Sequence, residues 1–200
     1  MARPRTFDET AVLDAAAAQF RVHGYADTST EQLCEAADVR RSSLYNAFTS
    51  KDELFVQALE HYASTMRARQ ESILTDASLS GADRLRKLVD AIIDEERVAR
   101  DEGHAAGCMG VHTLMSPDLR ARDERIALIL ERDLRERLGL LKDTIRVGRA
   151  DGSIPEGPDA GEGALLVNTL ISGIRVTAQT GVTPETLRRI VLDGLRSLLP

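Results

Sequence analysis

Two hundred residues, 42% of them hydrophobic and 29% charged, allow one or two domains with a sizeable core. No run approaches the roughly 20 apolar residues of a membrane span, and the opening Met-Ala-Arg-Pro-Arg-Thr-Phe-Asp lacks the apolar centre of a signal peptide, so a soluble cytoplasmic chain without a membrane partner is expected. Two cysteines, Cys34 and Cys108, make neither a disulfide framework nor a metal site, and a net charge of −6 argues against a general nucleic-acid coat while leaving room for a local basic patch.

Helical periodicity runs through nearly the whole chain, and strand alternation is absent. Phe7, Asp8 and Glu9 open the first helix, with Val12, Leu13, Ala16, Ala17 and Phe20 on its apolar face and Gly24 as a left-handed stop. Thr28-x-x-Glu31 and Ser29-x-x-Gln32 both fit a capping box for the second helix, whose buried side is Leu33, Ala36 and Ala37, with Val39 in the turn. Cys34 is expected in the core beside them. The third helix runs from about Arg41 to Phe48, with Leu44 and Ala47 inward. Ser50-x-x-Glu53 caps a fourth helix that turns Leu54, Phe55, Ala58, Leu59 and Tyr62 inward.

After a loop at Thr75–Ser80, Leu85, Leu88, Val89, Ile92 and Ile93 stripe the fifth helix. A glycine-containing break at Asp101–Gly107 precedes a short apolar helix from Cys108 to Met115. Ser116-Pro117 then starts one long helix carrying Leu119, Ile126, Leu130, Leu134, Leu138, Leu141 and Ile145. A loop with Pro155 and Pro158 leads to a helix over Asp159–Thr180, ended by Gly181. Thr183-Pro184-Glu185 starts the last helix. The expectation is an all-α protein of about nine helices, with a domain break inside the fourth helix near Met66.

The segment Thr28–Phe55 carries the functional signal. A short helix with Arg41, Ser42, Ser43 and Asn46 on its polar side has the composition needed to read base edges in a major groove. Arginine pairs with guanine O6 and N7, and asparagine with adenine N6 and N7. Tyr45 offers a hydroxyl to a phosphate oxygen, and Lys51 lies at the start of the fourth helix, where the dipole also favours phosphate. Thr28 and Ser29 are further phosphate candidates, although both also suit plain helix capping. Arg3 and Arg5 form a short arm for the minor groove. Over residues 1–51 the acids Asp8, Glu9, Asp14, Asp27, Glu31, Glu35 and Asp38 offset the bases, so modest non-specific affinity and a shallow salt dependence are expected.

Residues 6–66 resemble the DNA-binding domain of the TetR family of bacterial transcriptional regulators. The resemblance rests on Val12, Leu13, Ala16 and Phe20, then Gly24-Tyr25, Thr28-Ser29, Leu33, Ala36-Ala37 and Val39. Most specific is the run Leu44-Tyr45-x-x-Phe48-x-x-Lys51-x-x-Leu54. It implies a three-helix helix-turn-helix domain over 6–66. It also implies a larger helical domain over 67–200 that binds an effector and forms a homodimer. Two positions depart from the pattern. Asp38 stands where glycine is usual, and aspartate tolerates a left-handed turn at some cost. Arg40 replaces the usual Ser or Thr, removing a cap worth about 1 kcal/mol. A phosphate clamp by Arg40 would offset that loss.

The implied protein is a ligand-responsive repressor that binds a pseudo-palindromic operator as a dimer. Helix four would carry the effector signal to the recognition helices. The apolar last two helices, with the small residues Gly161, Gly163, Ala164 and Gly173, suit pairing with a second copy. Candidate effector contacts are Tyr62, Met66, Ile92, Cys108, Met109, His112, Met115, Asn168 and Arg175. Core packing is the plainer role for most of them. Arg175 sits in an apolar helix and needs a partner, either an acid such as Asp133 or an anionic effector. No cofactor is expected. His104 and His112 lack companions at metal spacing, and no catalytic triad or nucleotide loop appears, so an enzyme is not expected. Gly107-Cys108 resembles a subset of the family whose short helix opens with glycine-cysteine. It leaves open a thiol-based sensor of the same fold. A helical interaction protein without DNA binding is the remaining alternative.

Overall fold

The computed structural model describes residues 8–157 and 159–199, and all of the regular structure among them is helical. The helices are α1 (Glu9–His23), α2 (Thr30–Ala36), α3 (Arg41–Phe48), α4 (Lys51–Leu74), α5 (Gly81–Asp101), α6 (Met109–Leu114), α7 (Pro117–Arg122), α8 (Glu124–Ala150), α9 (Ala160–Thr177) and α10 (Pro184–Gly194), with a 3-10 turn at Ala178–Thr180. The arm residues Arg3 and Arg5, together with Phe7 and Pro158, lie outside the described residues.

One helix more than expected arises at Asp123. A continuous helix after Pro117 was the natural reading, because Leu119 and Ile126 share one apolar stripe. Instead Asp123 is extended (φ −145°, ψ 118°) and its carboxylate accepts from the Arg125 backbone N–H at 2.9 Å. Aspartate here acts as the cap that begins α8, and side-chain competition for the backbone overrides helical periodicity.

The chain forms two compact units. The first contains the described residues up to Ser64 together with Cys108–Ile129. Val12, Ala16, Ala17 and Phe20 of α1 are buried in it with Leu33, Leu44, Phe48, Leu54, Phe55 and Leu59. Phe55 meets Phe20 edge-on at 5.0 Å between ring centroids and Tyr25 at 5.1 Å. Asp8 caps α1, accepting from Thr10 N–H at 2.9 Å. Gly24 ends α1 with φ 74° and ψ 173°, a positive φ as expected but not the left-handed helical conformation. A Cβ there would sit 3.6 Å from His112 Nδ1 of α6, which packs on α1. The expected inward side of α2 is narrower than read: Leu33 is buried, Cys34 and Ala37 are half-buried and Ala36 is exposed. Seven residues give α2 only two turns, too few to turn every apolar residue inward.

The second unit holds Thr65–Gly107 and the described residues from Leu130 onward. Its core joins Leu85, Leu88, Val89, Ile92 and Ile93 of α5 to Leu141 and Ile145 of α8, Val167 and Ile174 of α9, and Leu187 and Val191 of α10. Two glycines permit the closest approach: a Cβ on Gly81 would lie 2.3 Å from Gly148 Cα. Asp151 and Ser153 accept from the first N–H groups of α5, at 2.9 Å from Gly81 N and 3.1 Å from Ala82 N. Arg84 and Thr144 donate to the Leu74 carbonyl at the end of α4. Gly163 and Ala164, read as points of close approach to a second copy, are buried within the chain. A Cβ on Gly163 would meet Ile145 at 2.9 Å.

Candidate nucleic-acid interface

Ser29 caps α2 through a complete capping box: its hydroxyl accepts from Gln32 N–H at 3.1 Å and the Gln32 side chain accepts from Ser29 N–H at 2.7 Å. The Ser29 side chain remains exposed. Thr28 does not share that position. It is 1% exposed and its hydroxyl donates to the Gly24 carbonyl at 2.6 Å, so the expectation of a phosphate contact by Thr28 is corrected to a structural one. Burial removes that hydroxyl from any ligand.

The turn between α2 and α3 closes with Val39 N–H donating to the Cys34 carbonyl at 3.0 Å. Asp38 adopts φ 50°, the left-handed region that favours glycine. Arg40 occupies the cap position of α3 without a side-chain capping bond, and its exposed guanidinium is free to face outward. The helix seats Leu44 and Phe48 in the core, while Ala47 is half-buried. Spacing of 3.6 residues per turn then turns Arg41, Ser42 and Asn46 to solvent, with Ser43 and Tyr45 at the margin.

Arg41 is pre-oriented. Its Nη1 lies 2.9 Å from Glu31 Oε1, and its Cζ is 5.6 Å from the Tyr45 ring centroid. Tyr45 shares a hydrogen bond of 3.0 Å with the Thr30 hydroxyl, which ties α3 to α2. A phenol engaged by Thr30 as donor still has its own proton for a phosphate. Thr30 and Glu31 therefore orient Tyr45 and Arg41, which the capping pattern alone did not reveal.

Lys51 opens α4. Its Nζ sits 4.3 Å from the Tyr25 ring centroid, and burial pushes its pKa down. Ser50 caps α4 by accepting from Glu53 N–H at 3.0 Å, as the sequence implied. Tyr25 donates to Asp52, and burial with that hydrogen bond pushes the phenol up to about 12.

The effector candidates fall in both units. In the first unit, Met109 and His112 line a cavity of about 20 Å³ with Phe20, Gly24, Tyr25 and Phe55, room for one water at most. Tyr62 and Cys108 are half-buried and Met115 is 78% exposed. In the second unit, Ile92 belongs to the core, Met66 is half-buried, and the Asn168 side-chain oxygen accepts from Arg137 at 2.8 Å. Arg175 finds its partners in Glu96, at 2.8 Å, and Glu95, not in Asp133, which pairs with Arg137. Glu96 also accepts from Ala106 N–H at 3.0 Å, and Glu95 from Arg69 at 3.0 Å, so the buried charges are mutually satisfied. An open cleft of about 460 Å³ adjoins this cluster, lined by Glu96, Arg100, His104, Gln179 and Val182 among others. Cys108 stands at the N-terminal cap of the six-residue α6 and makes no side-chain capping bond. Among the described residues, no three His, Cys, Asp or Glu side chains gather as metal ligands.

A short helix that buries Leu44 and Phe48, shows arginine, serine and asparagine outward, and is held by a tight turn to a capped partner defines a helix-turn-helix module for reading DNA. Residues 12–58 match the model of bacterial regulatory proteins of the tetR family. The HTH-type transcriptional repressor ComR of Escherichia coli strain K12 is 31% identical over 198 residues, covering 97% of this chain and 90% of that protein. A cysteine mutant of the TetR family transcriptional regulator CifR, solved with 26-base-pair double-strand operator DNA, is 30% identical with a TM-score of 0.79, covering 98% of this chain and 100% of that one. The reduced form of Escherichia coli NemR shares the fold at 20% identity, with a TM-score of 0.79 over 96% of this chain and 98% of its own. The chain belongs to the TetR family and is a DNA-binding transcriptional regulator, not an enzyme.

Proposed function

We propose that this regulator is a cytoplasmic repressor that binds a pseudo-palindromic operator as a homodimer and releases it when a small molecule binds. Arg41, Ser42, Ser43 and Asn46 read base edges, and Ser29, Arg40, Tyr45 and Lys51 hold phosphates. The exposed polar side of α3 carries this reading, because Leu44 and Phe48 seat the opposite side in the core. ComR is named a repressor, and CifR is described with operator DNA, which supports the direction of the effect and the ligand. In this reading residues 6–66 read the operator and 67–200 pair the subunits and take the effector.

Support for dimer formation through the last two helices comes from their exposed apolar residues. Leu165, Gly173 and Val176 follow one another at helical spacing on α9 and face solvent, as does Ile190 on α10. Leu165, Val176 and Ile190 are each more than half exposed. A second copy of this chain would cover them. No helix among the described residues is long and apolar enough to cross a membrane, which fits a cytoplasmic site of action.

Binding to operator DNA with Arg41→Ala tests the reading. Loss of one bidentate arginine–guanine pair costs about 1–3 kcal/mol, so affinity for the operator falls while affinity for random duplex changes little. An equal loss on both duplexes would place Arg41 on the phosphate backbone instead.

A further inference from the structure

Asp52 and Glu53 stand beside Lys51 in the first turn of α4. Acids suit a helix N-terminus, but here they flank the ammonium proposed to meet a phosphate. Two carboxylates within a Debye length of about 8–10 Å of that phosphate would oppose its approach. Both are answered by arginines from outside the helix-turn-helix, at the junction of α7 and α8. Arg122 Nη1 lies 3.5 Å from Asp52 Oδ1 and 3.5 Å from the Tyr25 hydroxyl. Its Cζ is 5.4 Å from the Tyr25 ring centroid, the ring that also seats Lys51. Arg125 Nη2 lies 2.8 Å from Glu53 Oε2 and 2.7 Å from Asp123 Oδ2. Asp123, the residue that breaks the helix, thus holds Arg125 where it reaches Glu53. Arg125 depresses the pKa of Glu53, and Arg122 acts on Lys51 with a sign opposite to that of Asp52.

We propose that Arg122 and Arg125 are positioning residues for operator binding, neutralising Asp52 and Glu53 so that Lys51 stays on the Tyr25 ring with its charge open to a phosphate. The proposal rests on the reading of Lys51 as a phosphate contact. Without Arg122, Asp52 keeps its bond from the Tyr25 phenol, and its charge acts on Lys51 and on the incoming phosphate. The break at Asp123 acquires a function: it sets Arg122 and Arg125 on either side of one extended residue, aimed at successive acids of α4.

The test uses the full chain and an operator duplex recovered by selection, with affinity followed by fluorescence anisotropy across a salt series. Arg122→Ala weakens binding by roughly three- to tenfold, the scale of exposed ion pairs lost from both subunits of a dimer. Asp52→Asn in that background restores affinity to within about twofold, Arg122→Lys retains it, and the salt slope is unchanged because no phosphate contact is lost. Arg125→Ala with Glu53→Gln gives the same pattern through the second pair. A loss that Asp52→Asn fails to relieve, with a shallower salt slope, would make Arg122 a direct phosphate contact and overturn the proposal. Unchanged affinity in both alanine variants would overturn it too. If Lys51→Ala leaves affinity and slope unchanged, the underlying reading of Lys51 fails first, and that result is distinct from the other two.

Discussion

Asp38 and Tyr25 show how single side chains set the DNA-reading module. Asp38 takes φ 50° in the turn before α3, a conformation at which glycine has no steric cost and aspartate a tolerable one. That departure from the family pattern was legible in the sequence, and so was its consequence. Tyr25 was visible only as part of a motif. Its ring and hydroxyl turn out to join Phe55, Lys51, Asp52 and Arg122. Nothing in the spacing of residues 25 and 122 announces that meeting. Burial and the bond to Asp52 favour the neutral phenol, so its folded pKa of about 12 lies above the unfolded value near 10. A raised value means that the associated stability is present below pH 10 and is lost as pH rises toward 12. Alkaline titration of tyrosinate absorbance shows a step near pH 12 that Tyr25→Phe removes. A Tyr25→Phe protein with an unaltered titration would contradict the packing described.

Individual helices were legible where apolar periodicity was long and capping residues clear. Ser29, Ser80 and Thr183 cap as their patterns imply, and Asp159, read as the first residue of its helix, is its cap. The reading failed at Asp123, where a cap inside a helical pattern looked like one more polar position on the solvent face. It also failed for Arg175, because the choice among Asp133, Glu95 and Glu96 depends on how α5 and α9 lie against each other. Packing of α5 on α8 gives a test whose sign is diagnostic. Helix propensity alone would make Gly81→Ala and Gly148→Ala stabilising by up to about 1 kcal/mol. The approach of Gly81 to the Gly148 backbone demands the reverse. Gly81→Ala should destabilise by about 1–3 kcal/mol in urea unfolding, because backbone cannot swing aside as a side chain can, whereas a Cβ on Gly148 would meet the Ile154 side chain at 2.5 Å. A gain in stability would place the two helices farther apart.

The proposed roles of the two units are unequally legible in the sequence. Sequence alone identifies the helix-turn-helix part, since the side chains proposed to meet DNA lie within one short stretch from Ser29 to Lys51. The nine effector candidates come from several helices of both units, and no short stretch of sequence holds them together. The exposed stripe of Leu165, Gly173 and Val176 carries the expectation of a dimer. Leu165→Glu combined with Val176→Glu should yield a monomer by sedimentation at micromolar concentration while helical content by circular dichroism is unchanged. A dimer that persists would move the interface elsewhere.

The central claim is that α3 from two subunits reads two inverted half-sites. Selection of duplexes from a randomised DNA library by the purified protein tests it most directly. Enrichment of one motif with inverted repeats whose centres lie about one helical turn, or a whole number of turns, apart is the result expected of a helix-turn-helix dimer. Recovery of duplexes without a shared motif, or of a single half-site without its inverted mate, would contradict it.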